Sequence, residues 1–169
     1  MKHLLTAIIL MTVSNTLYAQ KCNLDVDKTD VFTKERIRSG TNRIAPALYN
    51  WKLTLERNGD AFSWGMFIKY AIHIQEPMGP QSTLILALAD GTVIKLVPDM
   101  AYEPTHVVSS AGIVSTLRPK GKLTMENVQA LSKSPITALR VVLSGRTVEP
   151  NISKGQGEDF QNIARCLLQ

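Results

Sequence analysis

His106 is followed closely by three hydroxyls, Ser109, Ser110 and Ser115, and histidine beside serine is the raw material of nucleophilic acyl transfer. That chemistry also needs a carboxylate to orient the imidazole. No G-x-S-x-G elbow occurs anywhere in the chain. The other histidine of the body, His73, falls on the polar positions of an alternating pattern, where a solvent-facing or locally satisfied ring is the ordinary outcome. A hydrolase is therefore the third-ranked reading, and no catalytic residue is assigned.

Asp25-x-Asp27-x-x-Asp30 has the opening rhythm of a calcium loop. An EF-hand needs glycine at its sixth position and glutamate at its twelfth, and this chain offers Asp30 and Arg36 there. A solvated acidic turn is the expectation. Gly121-Lys122 lacks the other residues of a phosphate loop, and Glu158-Asp159 would repel a phosphate at Gly155-Gln156-Gly157. No metal and no cofactor are expected.

The two cysteines, Cys22 and Cys166, stand near opposite ends of the chain. In an oxidising compartment such a pair is expected to be bridged, and closing so long a loop is worth on the order of 4–5 kcal/mol in the chain-entropy model. Lys21 occupies the place where lipid attachment at Cys22 would want a small residue. With no paired histidines, the spacing makes no zinc site.

Two triplets of alternating cations stand out: Lys34, Arg36 and Arg38, and Arg118, Lys120 and Lys122. Alternation puts each triplet on one side of an extended segment. Such charge is ordinarily a solvated face or a protected strand edge. The functional alternative is an anion site for a lipid headgroup, an acidic glycan or a partner's carboxylates, with Lys34, Arg36 and Arg38 as the candidate residues. The aromatic row Tyr49, Trp51, Trp64, Met66 and Tyr70 is expected to be core; its alternative is a pocket in which Trp51, Trp64 and Tyr70 line a small apolar or lipid-like ligand.

These residues are positioned by strands. Apolar residues alternate from Ala47 to Leu55 and again from Phe62 to Ile74, around Asn58-Gly59. Period two predicts a hairpin with one buried face, and Asn-Gly predicts a type I′ turn that sets Leu55 opposite Phe62, Leu53 opposite Trp64 and Trp51 opposite Met66. A second hairpin is expected from Thr83 to Val97 around Asp90-Gly91, apolar on both faces and covered by helices, with Leu96 and Ile94 opposite Ile85 and Ala87. His106 to Leu117 reads as one strand bulged at Gly112, and Ile136 to Leu143 as another. A helix capped by Thr124 runs to Lys133 and buries Met125, Val128 and Leu131; a last helix, Glu158 to Leu168, buries Phe160, Ile163, Ala164 and Leu167. The fold class is α+β: an antiparallel sheet of about six hairpin-connected strands with two helices packed on it. The alternative is a small β-barrel with a C-terminal helix.

Residues 1–19 read as a secretory signal peptide: Met1-Lys2-His3, an uncharged apolar run from Leu4 to Val13, and an exit at Ser14 to Ala19 with cleavage before Gln20. The run is about half the roughly 20 residues that span a bilayer. Residues 20–169 then form one domain. The net charge is +5, falling to +4 once Lys2 leaves. Without a dense basic patch interleaved with aromatics, nucleic acid is not an expected partner. The exit Leu17-Tyr18-Ala19-Gln20 resembles those of exported proteins of Gram-negative Bacteroidota, and the segments Leu131–Arg140 and Phe160–Leu168 are similar to uncharacterised small secreted proteins of that group. The resemblance implies a secreted or periplasmic location and carries no catalytic residues. The first-ranked function is an exported, non-enzymatic module that binds a protein, glycan or lipid surface. The second is a carrier of a small apolar or lipid-like ligand.

Overall fold

The computed structural model describes residues 22–44, 50–70, 75–110, 112–143 and 145–169. Residues 1–19, read from the sequence as a signal peptide, lie outside the described residues, as do Tyr49 and His73. Among the described residues, eleven strands and two helices follow one another as β1 (Val26–Thr29), β2 (Arg36–Arg43), β3 (Lys52–Asn58), β4 (Ala61–Tyr70), β5 (Thr83–Leu88), β6 (Val93–Leu96), β7 (Thr105–Ser109), β8 (Gly112–Leu117), β9 (Lys120–Leu123), α1 (Met125–Lys133), β10 (Ile136–Val142), β11 (Thr147–Val148) and α2 (Lys154–Leu168). The α+β class and the presence of two helices stand as read from the sequence, and the barrel alternative does not. The strands form two open antiparallel sheets, one ordered β1-β2-β3-β4-β8-β7 with β9 also on β4, the other β11-β10-β5-β6.

One core joins the layers. The inward row of β3 and β4, Leu53, Leu55, Phe62, Trp64, Met66 and Ile68, packs in the same cluster as Leu84, Leu86, Ile94, Leu96, Leu139 and Val141 of the smaller sheet and Phe160, Ala164 and Leu167 of α2. Helix α2 runs antiparallel to β2 across the sheet's inner face. Asn42 donates to Asp159 at 2.8 Å, Gly40 leaves room for Ile163, whose side chain would stand 2.7 Å from any Cβ there, and Arg38 meets the last turn at Cys166.

Three local expectations are corrected. In the first hairpin, Asn58 pairs with Ala61 and Leu55 with Trp64, so the loop is Gly59-Asp60 rather than Asn58-Gly59. Gly59 has φ +57 and Asp60 a negative φ, the II′ pattern, which needs positive φ only at its first central residue. The same residues stay inside, and Arg57 now faces Phe62, its guanidinium 5.3 Å from the ring centre. In the second hairpin a three-residue loop, Ala89-Asp90-Gly91, replaces the two-residue turn, with Gly91 at φ +88. That slip of one residue sets Leu96 opposite Leu84 and Ile94 opposite Leu86, turning both inward. The outer face of β5 keeps Ile85 and Ala87 half-buried, beside Val93 and Lys95. The main contacts of α2 are with α1, β10, β2 and β3, so the second hairpin is not its chief packing surface. The third correction is the stretch His106–Leu117, which folds back on itself: Ser109 pairs with Gly112, which has φ +115.

Both helices begin with a cap. Thr124 Oγ1 accepts from the Asn127 N–H, and Ser153 and Gln156 form a reciprocal capping box. Helix α2 therefore starts four residues before the expected Glu158. Val128 and Leu131 are buried in α1 as expected, whereas Met125, in the first turn, is 42% exposed.

Candidate anion-binding face

The disulfide joins Cys22 to Cys166 with a Cα–Cα distance of 5.6 Å, pairing the two ends as the sequence indicates. The chain just before β1 is thereby fastened to the last turn of α2.

The first cation triplet is divided by its surroundings. Lys34 sits at φ +62 in the turn between β1 and β2, its N–H donating to the Asp30 carbonyl at 3.0 Å. Arg36 forms a two-point pair with Asp27, Nε to Oδ1 and Nη2 to Oδ2, both 2.7 Å. That hydrogen-bonded pairing lowers the Asp27 pKa and raises that of Arg36. Arg38 is 4% exposed, and burial lowers its pKa. These side chains do not form one exposed strip. The acidic stretch is likewise engaged: Asp30 Oδ1 accepts from the N–H groups of Phe32 and Thr33, both at 2.8 Å, and these bonds hold its pKa down.

The second triplet has the opposite setting. Ile68 pairs with Leu117 and Gly65 with Lys120, so the register between them sets Phe67 opposite Arg118 and Met66 opposite Pro119. The Met66 N–H donates to the Pro119 carbonyl at 2.9 Å, which carries the ladder across the break between β8 and β9. Arg118, Lys120 and Lys122 consequently share the face turned away from the core, opposite Phe67, Gly65 and Ser63. Cross-strand neighbours Lys69, opposite Thr116, and Lys52, opposite Phe67, extend the rows. All five cations are exposed, and none enters an ion pair among the described residues. Glu56, half-buried opposite Ser63, is the carboxylate nearest in the rows.

The floor of this face is low. Thr54, Glu56, Ser63 and Gly65 line a shallow groove of about 310 Å³, walled by Phe67, Arg118 and Lys120. The Arg118 guanidinium lies 5.2 Å from the Phe67 ring centre, a stacking that orients the cation while leaving its N–H groups for a ligand. Alternate residues of a strand are about 7 Å apart, so Lys120 and Lys122 present charges at that spacing along β9, with Arg118 just ahead of them on the same face. An array of this kind suits a partner with repeated negative charge.

The remaining candidates lie elsewhere. Trp51 is 2% exposed, Trp64 1% and Tyr70 4%, all within the core cluster. Trp51 and Tyr70 meet edge to face at 5.2 Å between ring centres, a packing contact of the kind that fills a core. His106 Nδ1 and Ser115 Oγ are 3.0 Å apart across β7 and β8. Ser115 is fully buried, so its hydroxyl is enclosed by the sheet that carries it.

No protein-family model, curated protein or solved structure matches the chain. The chain's own geometry is therefore what speaks to its role. No helix among the described residues is long and apolar enough to cross a membrane.

Proposed function

We propose that the chain is an exported, non-enzymatic interaction module whose partner presents an anionic surface, met by the outer face of β4, β8 and β9. The observation that carries this reading is the unbroken row Arg118, Lys120 and Lys122, flanked by Lys69 and Lys52 and free of ion pairs among the described residues. Cations kept on a solvated face without neutralising partners raise the local concentration and association rate of an oppositely charged surface. The apolar leader and the joined terminal cysteines support export.

The test is retention on immobilised heparin in a salt gradient. The triple variant Arg118→Ala/Lys120→Ala/Lys122→Ala should elute at distinctly lower salt than the wild type, with an unchanged thermal midpoint because these side chains are exposed. Equal elution of the two proteins rejects the assignment of this face.

A further inference from the structure

From Thr105 to Leu117 the chain has no Asp, Glu, Lys or Arg. The hairpin of β7 and β8 that it forms leaves Val107 62% exposed, Val108 77% and Ile113 38%. Successive strand residues point to opposite faces, so exposure of both valines means that, among the described residues, neither face of the hairpin's end is covered. Natural edge strands are ordinarily blunted by lysine, proline or inward charge, and β7, at the edge of its sheet, carries none of these. The apolar end is also in phase with the cations. Val107 pairs with Val114, Thr105 with Thr116, and Thr116 with Lys69. Val107, Lys69, Arg118, Lys120 and Lys122 therefore share one face of the sheet.

We infer that the hairpin and the cation row dock together on an anionic lipid bilayer. Val107, Val108 and Ile113 enter the boundary between headgroups and acyl chains, while Lys69, Arg118, Lys120 and Lys122 meet lipid phosphates. This rests on the proposal that the cation face binds anions, and it names the partner. Neither feature suffices alone: a few aliphatic side chains bind a bilayer weakly, and a handful of cations adds a modest increment, but an aliphatic hairpin end and a cation row carried by one sheet, with Val107 on the cation side, reinforce each other. An acidic glycan would leave the aliphatic side chains in water. A strand-pairing partner at β7 would leave the cations unused.

The experiment is co-sedimentation of the disulfide-bonded protein with phosphatidylcholine vesicles, with and without about 30% phosphatidylglycerol. The wild type should bind the anionic vesicles and not the neutral ones. Val107→Ser/Val108→Ser should weaken that binding by at least about tenfold while keeping wild-type retention on heparin. Removing Arg118, Lys120 and Lys122 should weaken both, by about fivefold per cation on vesicles. Phe32→Ala, an exposed aromatic at the opposite edge of the sheet, should change neither. Vesicle binding indifferent to the valine pair overturns the inference. So does retention on heparin without vesicle binding, which leaves the anion-binding face standing, and so does a valine variant altered only in its oligomeric state by sedimentation velocity. A wild type that binds neither heparin nor vesicles takes down both proposals.

Discussion

Arg38 Nη1 donates to the Cys166 carbonyl across 2.8 Å, and this contact is buried. Cys166 is also the residue bonded to Cys22, and Arg57 Nη1 reaches the next carbonyl, that of Leu167, at 2.9 Å. The last carbonyls of a helix have no donors within the helix, and the helix dipole makes a cation welcome there. Two guanidiniums from the sheet thus terminate α2, while the disulfide holds the same turn covalently. Of the first cation triplet, Arg38 is used in this way to hold the fold together.

Replacing Arg38 by alanine is expected to cost about 2–3 kcal/mol, because a charge-assisted hydrogen bond is lost and the Cys166 carbonyl is left buried without it. Urea denaturation of the oxidised protein measures this. A loss within about 0.5 kcal/mol, the range of ordinary surface substitutions, would show that the contact is not stabilising.

Replacing Cys22 and Cys166 together by serine is expected to lower stability by about 2–5 kcal/mol. The secondary structure should persist under native conditions, since the core cluster draws on both sheets and both helices. Circular dichroism with thermal melting checks both halves. An unchanged midpoint would mean that the ends are held by packing alone.

Two glycines of α2 should respond with opposite sign. A Cβ on Gly157 would collide with the Ile136 carbonyl of β10, so Gly157→Ala is expected to cost about 1–3 kcal/mol through forced displacement of the helix. Gly155 has nothing near its absent side chain, and Gly155→Ala should stabilise by up to about 1 kcal/mol through helix propensity. Equal effects at the two positions would contradict the close approach of α2 to β10.

Acid should weaken the β1–β2 turn. Asp27 and Asp30 have pKa values below the ordinary 3.8 because Arg36 bonds the first and backbone N–H groups of Thr33 and Phe32 bond the second. A carboxylate whose folded pKa is depressed contributes stability that is complete above its unfolded value and is lost as pH falls through the folded one. The thermal midpoint should therefore drop as pH falls below about 4. Asp30→Asn keeps an oxygen acceptor for the turn without its titration, and should show a shallower drop. An identical acid profile for wild type and variant would remove Asp30 from the account.

Much of the fold was legible where local chemistry and long-range packing agree. The alternating row through Leu53 and Leu55 and then Phe62, Trp64 and Met66 marks a hairpin whichever residues make the turn, because moving the loop from Asn58-Gly59 to Gly59-Asp60 preserves which side is buried. At Asp90-Gly91 the same dipeptide reasoning failed by one residue, and there a single step reverses every side chain. Strand β2 was illegible for a different reason. Its sequence, Arg-Ile-Arg-Ser-Gly-Thr-Asn-Arg, has almost no apolar alternation, since its inner face is covered by α2 with glycine at the crossing and polar bonds on either side. The four extra residues of α2 were hidden by Gly155 and Gly157, poor helix formers that the capping box at Ser153 and the approach to β10 make acceptable.

The amino-acid order alone determined the alternation of the strands, the Thr124 helix cap, the pairing of two terminal cysteines and the presence of two cation triplets with the same every-second-residue rhythm. It held nothing to tell those triplets apart. Tertiary structure separated them: α2 lies across the face that carries Arg38, so burial turned that cation inward onto helix carbonyls, whereas Arg118, Lys120 and Lys122 extend a sheet on its uncovered side. The physical reason is that a strand's period sets only which residues share a side, and the choice between core and solvent is made by whatever packs on that side from far along the chain.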